Sequence, residues 1–182
     1  MAQKTSPTVV TTVATVRAIK DRLIAPLPED ASTQLPSRGQ VAVEATLNDH
    51  RTQLVIEPDG RQGHWIRLDD ELLDALGVQA GDRIDVTLTR QDSWPEPEVP
   101  GDLEAALAGA PDVADTWTDI TPMARWEWVR WVGSTKNPDT RARRVNVSID
   151  KMRNGKRRPC CFNLASCTDP EISASGKLLG LD

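Results

Sequence analysis

The sequence predicts an α+β protein, a small N-terminal β-barrel followed by a C-terminal helical domain. Three observations carry that prediction. In the first half, apolar residues recur at every second position, as in Val41-Ala42-Val43-Glu44-Ala45-Thr46-Leu47, the pattern of a half-buried strand. In the second half they recur every third or fourth position, as in Ala142, Val145, Ile149 and Met152, which places them on one helix face. Between the halves, QDSWPEPEVP (91–100) holds three prolines and breaks both patterns. These marks divide the chain into a barrel domain at 8–92, a Pro-rich linker at 93–101, a helical domain at 102–158 and an irregular tail at 159–182.

The barrel elements follow in order. Residues 9–19 are rich in Val and Thr, side chains that pack well on a pleated surface, and read as one strand. Residues 23–40 contain three prolines and Gly39 and read as irregular connection. The alternating strand 41–47 leads into Asn48-Asp49-His50, where Asn and Asp tolerate a tight turn. Residues 52–56 then return as the second arm of a hairpin. Pro58-Asp59-Gly60 is a further turn, and 64–68 a short strand. Asp69 is a helix cap, 70–76 a short helix, and Gly77 its stop. Gly81-Asp82 turns the chain into Ile84, Val86 and Leu88, which alternate with polar residues. About six strands and one short helix result.

Helix signals take over after the linker. Gly101-Asp102 opens a short helix through Ala108, and Pro111 opens another through about Trp117. Thr121-Pro122 and Asn137-Pro138 each place a side-chain acceptor before a proline that lacks an N–H. Gly133 and Gly155 are the matching stops. Trp128, Trp131 and Val132 share a face of the first long helix. The four-residue connection favours an antiparallel pair. The tail is expected as coil lying on the helices or as a partly disordered segment.

Composition limits the function. The chain has 182 residues, 38% hydrophobic and 27% charged, ordinary for a globular protein. No apolar stretch is long enough to span a membrane, and the N-terminus lacks the apolar region of a signal peptide, so a cytoplasmic protein is expected. Cys160, Cys161 and Cys167 are odd in number, which argues against a disulfide framework. They lack zinc-knuckle spacing, and His50 and His64 are the only histidines. No metal, cofactor or catalytic residue is expected, and free thiols are the plain reading. No nucleophile-elbow, zincin or phosphate-loop motif occurs.

Charge is the strongest asymmetry. Ten Lys/Arg stand against two acids from Arg130 to Arg158, whereas residues 1–129 carry eleven bases and twenty-two acids. Trp126, Trp128 and Trp131 lie beside that cationic run. Guanidinium groups pair with carboxylate or phosphate, and indole rings stack on cations or flat ligands. The candidate ligand-binding residues are therefore Arg130, Arg141, Arg143, Arg144, Trp128 and Trp131. The plainer alternative is that these arginines pair with acids of the barrel, and that the tryptophans are core.

The ordered motifs carry two resemblances. The strand, the short helix and GVQAGDRIDV (77–86) resemble the hairpin of AbrB/MazE-like swapped-hairpin barrels. The whole of 9–158 resembles the YdeI/OmpD-associated family. It does so through GVQAGD at 77–82, Leu103, Asp119-Ile120-Thr121-Pro122, the Trp-Val-Arg-Trp run at 128–131, and Thr140-Arg141-Ala142-Arg143-Arg144. In that family a barrel domain of unknown function precedes a small helical domain. The resemblance implies a link to bacteriocin tolerance or envelope stress, and no catalytic residue set.

Three functional readings stay open. The first is a non-enzymatic binding protein that takes an unknown anionic ligand or acidic protein segment, as a monomer or weak dimer. The second is nucleic-acid binding through the AbrB-like barrel and the basic helix, which in AbrB-type proteins is a dimer property. A sequence pI near 5.1 opposes it. The third is a thiol-dependent or hydrolytic enzyme, because the basic run could lower a thiol pKa.

Overall fold

The computed structural model describes residues 8–159, 169–173 and 175–181. The chain divides into two compact units, Met1–Pro95 with Lys177–Asp182, and Glu96–Gly176.

The first unit is a curled antiparallel sheet. Its strands are β1 (Val9–Thr15), β2 (Arg17–Ile19), β3 (Arg22–Pro26), β4 (Val41–Leu47), β5 (His50–Pro58), β6 (His64–Leu68) and β7 (Arg83–Arg90). Their order across the sheet is β1-β7-β4-β5-β6-β3-β2. The outermost strands, β1 and β2, are separated in the chain by Val16 alone. A sheet whose two edges are joined by one residue cannot lie flat, so it curls into a half-barrel. Val16 is buried, and the Gly81-Asp82 turn pins it: its N–H donates to the Asp82 carbonyl at 2.8 Å, and its carbonyl accepts from the Gly81 N–H at 2.9 Å. Gly81 has φ of 95°, a conformation that glycine adopts without steric cost. The Gly-Asp turn read from the sequence thus holds the corner of the barrel.

Alternation sets the core. Val41, Val43, Ala45 and Leu47 of β4, and Ile84, Val86 and Leu88 of β7, face inward with Val10 and Ala14 of β1. The register pairs Leu47 with Val86 and Ala45 with Leu88, so the inward faces coincide. β5 pairs with β4 from His50 to Ile56 and with β6 at Glu57 and Pro58, which carries the chain round the bend. Trp65 is wholly buried, with the guanidinium groups of Arg22 and Arg67 at 5.2 and 5.6 Å from its ring.

Two sequence expectations change here. Residues 9–19 are two strands rather than one, broken at Val16. The proline-rich 23–40 is not wholly irregular, because it holds β3 and the short helix α1 (Glu29–Thr33). Among the described residues the first unit therefore has seven strands and two short helices. Pairing with β6 places Ile24 opposite Arg67 and Pro26 opposite Trp65, a tertiary contact that overrides the prolines. The second helix, α2 (Asp70–Leu76), is as read: Asp69 accepts from the Leu72 N–H at 3.0 Å, and Gly77 is left-handed at φ 61°. The last residues of the tail join this unit rather than the helices. Leu178 is fully buried, and its N–H donates to the Asp59 carbonyl at 2.9 Å.

One polar anchor sits in the barrel interior. His64 and Ser32 are each 1% exposed. The Ser32 hydroxyl lies 2.5 Å from His64 Nδ1, and the Gly39 carbonyl 3.2 Å from Nε2. This pattern fits a neutral ring with Nε2–H donating and Nδ1 accepting. Burial holds the imidazole below its ordinary pKa, against opposing pulls from the Gly39 and Ser37 backbone and from Asp59.

The second unit contains α3 (Gly101–Ala108), a 3-10 turn (Pro111–Val113), α4 (Ala114–Asp119), α5 (Pro122–Gly133) and α6 (Pro138–Arg153). The caps are those the sequence announces: Thr121 accepts from Ala124 N–H at 3.2 Å and Asn137 from Thr140 N–H at 2.9 Å. Gly133 differs, being the last residue of α5, with the end at Ser134 (φ −79°, ψ 17°) rather than at a left-handed glycine. Ala110, Val113, Ile120, Ala124, Trp128, Ile149 and Met152 form one apolar cluster, and Leu103, Val132 and Val145 a second. Ala142, expected on the buried face of α6, is exposed, and Ser148 takes an inward position with its hydroxyl donating to the Arg144 carbonyl at 2.8 Å.

Candidate functional site

The cationic run falls mostly on α6 and the turn after it, so its chemistry depends on which guanidiniums are already engaged. Arg141 forms a two-pronged pair with Asp102 of α3, at 2.6 and 2.9 Å. Arg153 does the same with Asp112 of the 3-10 turn, at 2.5 and 3.2 Å. Arg157 donates to the Asp119 carboxylate and carbonyl at 2.7 and 3.0 Å. Arg158 donates twice to Glu127 of α5. Arg130 reaches Asp169 at 3.2 Å and lies 4.5 Å from the Trp126 ring centre. All of these acids belong to the helical unit itself. The pairs described thus engage acids of the helical unit, where the sequence reading looked to acids of the barrel. The reason is geometric: α3, the 3-10 turn and α4 bring Asp102, Asp112 and Asp119 within reach of α6 and its C-terminal extension.

The carboxylates register these partners. A hydrogen bond from Arg141 holds Asp102 below its usual pKa, Arg153 does so for Asp112, and Arg125 for Glu96. Exposed pairs of this kind add little to stability, because solvent screens the charges. Glu127 is different because it is fully buried.

The six candidate residues do not form one cluster. Trp128 is core, with its indole N–H donating to the Arg157 carbonyl at 3.2 Å. Trp131 packs edge-on against it, at 6.1 Å and 80°, and stays half-exposed. Arg144 and Lys151 lie over the Trp131 ring at 5.3 and 5.2 Å. Arg144 also donates to the Trp131 carbonyl at 2.7 Å and to the Ser134 hydroxyl. Trp131, Arg144 and Lys151 thus come together; Arg130 and Arg141 are each committed to an acid. Arg143 stands apart, exposed and without a partner among the described residues.

Arg143 shares an outward stripe of α6 with Val147, Asp150 and Asn154, at spacings of four, three and four. At the C-terminal end of that stripe is a cleft of about 300 Å³, lined by Val147, Asp150, Lys151, Lys156, Arg158 and Pro159 together with Asn154. Lys151 Nζ donates to the Pro159 carbonyl at 2.7 Å, which fastens the chain after α6 along its side. Lys156 is exposed, with no partner for its ammonium among the described residues.

Sequence reasoning missed Arg125, Glu127 and Val147. Arg125 donates to the Trp117, Thr118 and Ile120 carbonyls and pairs with Glu96 at 2.7 Å, so it caps the C-terminal end of α4. Glu127 was legible in principle, since a carboxylate three residues after Ala124 and next to Trp128 sits in the buried stripe of α5 and must have a cation. Val147 and Lys156 become neighbours only through the turn at Gly155 (φ 72°). The three cysteines lie outside the described residues. Among the described residues no group of three His, Cys, Asp or Glu is placed to hold a metal ion, and no helix is long and apolar enough to cross a membrane.

Comparison with known proteins adds the family. Residues 96–155 match the family described as Bacteriocin-protection, YdeI or OmpD-Associated. Residues 11–88 match a domain of unknown function (DUF1905). No curated protein matches the chain. The two matched segments fall on the helical unit and on the half-barrel, in the order that the resemblance implied.

Proposed function

We propose that this chain is a non-enzymatic binding protein whose helical unit engages an anionic partner through the outward face of α6. The family association is with bacteriocin protection, and a binding role accounts for the charge the fold leaves exposed. The supporting observation is the unevenness of ion pairing. Arg125, Arg130, Arg141, Arg153, Arg157 and Arg158 each close on an acid of their own unit. Arg143 and Lys156 face solvent at the two ends of one stripe, with Arg144 and Lys151 on its flank at Trp131. Asp150 is the one acid in sequence between Asp139 and Asp169, so the field along this stripe is positive in an otherwise acidic chain.

The test is binding of a fluorescent polyglutamate to the full chain at two ionic strengths. Affinity should fall with salt, because exposed charges are screened over about 10 Å at 0.1 M, and Arg143→Glu with Lys156→Glu should weaken it by roughly tenfold or more. Affinity unchanged by both salt and the double substitution rejects this reading.

A further inference from the structure

We infer that the cleft at the C-terminal end of α6 docks a short acidic peptide segment carrying one bulky apolar side chain among its carboxylates. This rests on the reading of α6 as the face for an anionic partner and adds the chemistry of that partner.

The lining of the cleft decides the apolar part. Val147 and Pro159 contribute carbon, and the surface facing the cleft is predominantly carbon although three cations line it. Lysine and arginine produce that combination when their stems cover a surface and their charged ends reach water. A volume of about 300 Å³ is at the small end of ligand pockets. It suits one large side chain entering as an anchor better than a whole cofactor.

The state of the cations decides the acidic part. Tight capture of a compact phosphate uses several converging donors. Here the Lys151 ammonium already donates to the Pro159 carbonyl, and Arg158 already donates twice to Glu127. What remains is a positive potential around a nonpolar pit, opposed only by Asp150, itself approached by Arg153 at 3.4 Å. Carboxylates spread along a peptide exploit such a field without needing converging donors. The stripe from Arg143 to Asn154 spans eleven steps of helix, about 16 Å at 1.5 Å per residue. An extended chain covers that in about five residues at 3.3 Å each. A segment of that length places its anchor over Val147 while its flanking acids approach Arg143 at one end and Lys156 at the other.

The experiment uses the full chain and fluorescence polarisation of labelled short peptides. One peptide has a leucine flanked on both sides by glutamates. A second replaces the leucine by serine, and a third replaces the glutamates by glutamines. Val147→Asp and Val147→Ser are the cleft variants, both at a half-exposed position, and their melting curves report on folding. Arg143→Glu with Lys156→Glu is the charge variant. The expected result is saturable binding of the first peptide. Serine for leucine, and either Val147 substitution, should weaken it roughly ten- to hundredfold, the range for losing one apolar anchor. Glutamine for glutamate and the charge variant should also weaken it. If the serine peptide binds as well as the leucine peptide while the charge variant still loses both, the anchor is wrong and the anionic reading of α6 stands. If inorganic phosphate or an oligonucleotide displaces the peptide and binds independently of Val147, the partner belongs to another class and the inference is overturned. If no polyanion binds, both readings fall.

Discussion

The two units solve the same problem with different chemistry. The half-barrel is held by alternating apolar residues from β1, β4 and β7, with few polar groups inside, His64 and Ser32 chief among them. The helical unit has a smaller apolar centre and surrounds it with arginine–carboxylate pairs that join α6 and the turn after it to α3, the 3-10 turn, α4 and α5. A curled sheet satisfies its backbone through the ladder and needs only one apolar face. Short helices such as α3 and α4 bury little each, so long side chains tie them together. The difference teaches that the cationic run is not a single feature. Most of it is internal fastening, while Arg143 and Lys156 stay exposed with no acid partner among the described residues.

The largest effects should come from the cores. Leu47→Ala in the barrel and Trp128→Ala in the helical unit should each cost about 3–5 kcal/mol in denaturant unfolding. A loss below 1 kcal/mol at Leu47 would contradict the barrel packing described.

Next in size is the buried carboxylate. Arg158→Met leaves Glu127 enclosed and uncompensated, a loss of about 3 kcal/mol. Adding Glu127→Leu should recover most of it, because removing both charges also removes the desolvation cost. If the double variant is no more stable than the single one, the pair is not what positions the turn after α6.

Inside the barrel, Ser32→Ala leaves His64 Nδ1 without its donor and should cost about 1–3 kcal/mol. The same imidazole separates the units by pH. Its pKa is lowered by burial in the folded state, so the unfolded chain takes up the proton first, below about pH 6.5. The barrel should therefore lose stability as pH falls below that value, a slope that His64→Gln removes. Glu96, Asp102 and Asp112 are held low by arginines. Their contribution is present above the ordinary carboxylate range of about pH 4 and is lost only as pH falls below it. Acidification with a tryptophan-fluorescence readout should weaken the barrel before the helices; the reverse order would break the comparison.

The smallest expected change is at Arg141. Its pair with Asp102 is partly exposed, and Arg141→Ala should cost only about 0.2–1 kcal/mol, a difference that shrinks in high salt.

Much of the fold was legible, and the misses have one kind of cause. Asp69, Thr121 and Asn137 were readable as caps because each bonds an N–H three residues on. Strand 41–47 and helix 70–76 followed from alternation and punctuation. β3 and α1 were hidden because Pro26, Pro28 and Pro36 dominate a local reading, whereas β6, some forty positions away, is what makes 22–26 a strand. At the candidate site, the residue types were legible and their assignments were not. Arg141 and Arg143 are two positions apart and look alike in sequence, yet one meets Asp102 thirty-nine residues away and the other meets solvent.

The sequence alone determined what depends on neighbours along the chain. That includes the period of each apolar pattern, the proline and glycine punctuation, the three caps and the concentration of charge after Arg130. Backbone sterics and hydrogen bonds within a helical turn act over a few residues, so they can be read directly. Tertiary structure alone decided which arginines are consumed, that Glu127 lies buried under Arg158, and that Val147 and Lys156 share a cleft. Those outcomes depend on distances between residues far apart in the chain, which exist only once α3, α5 and α6 have packed.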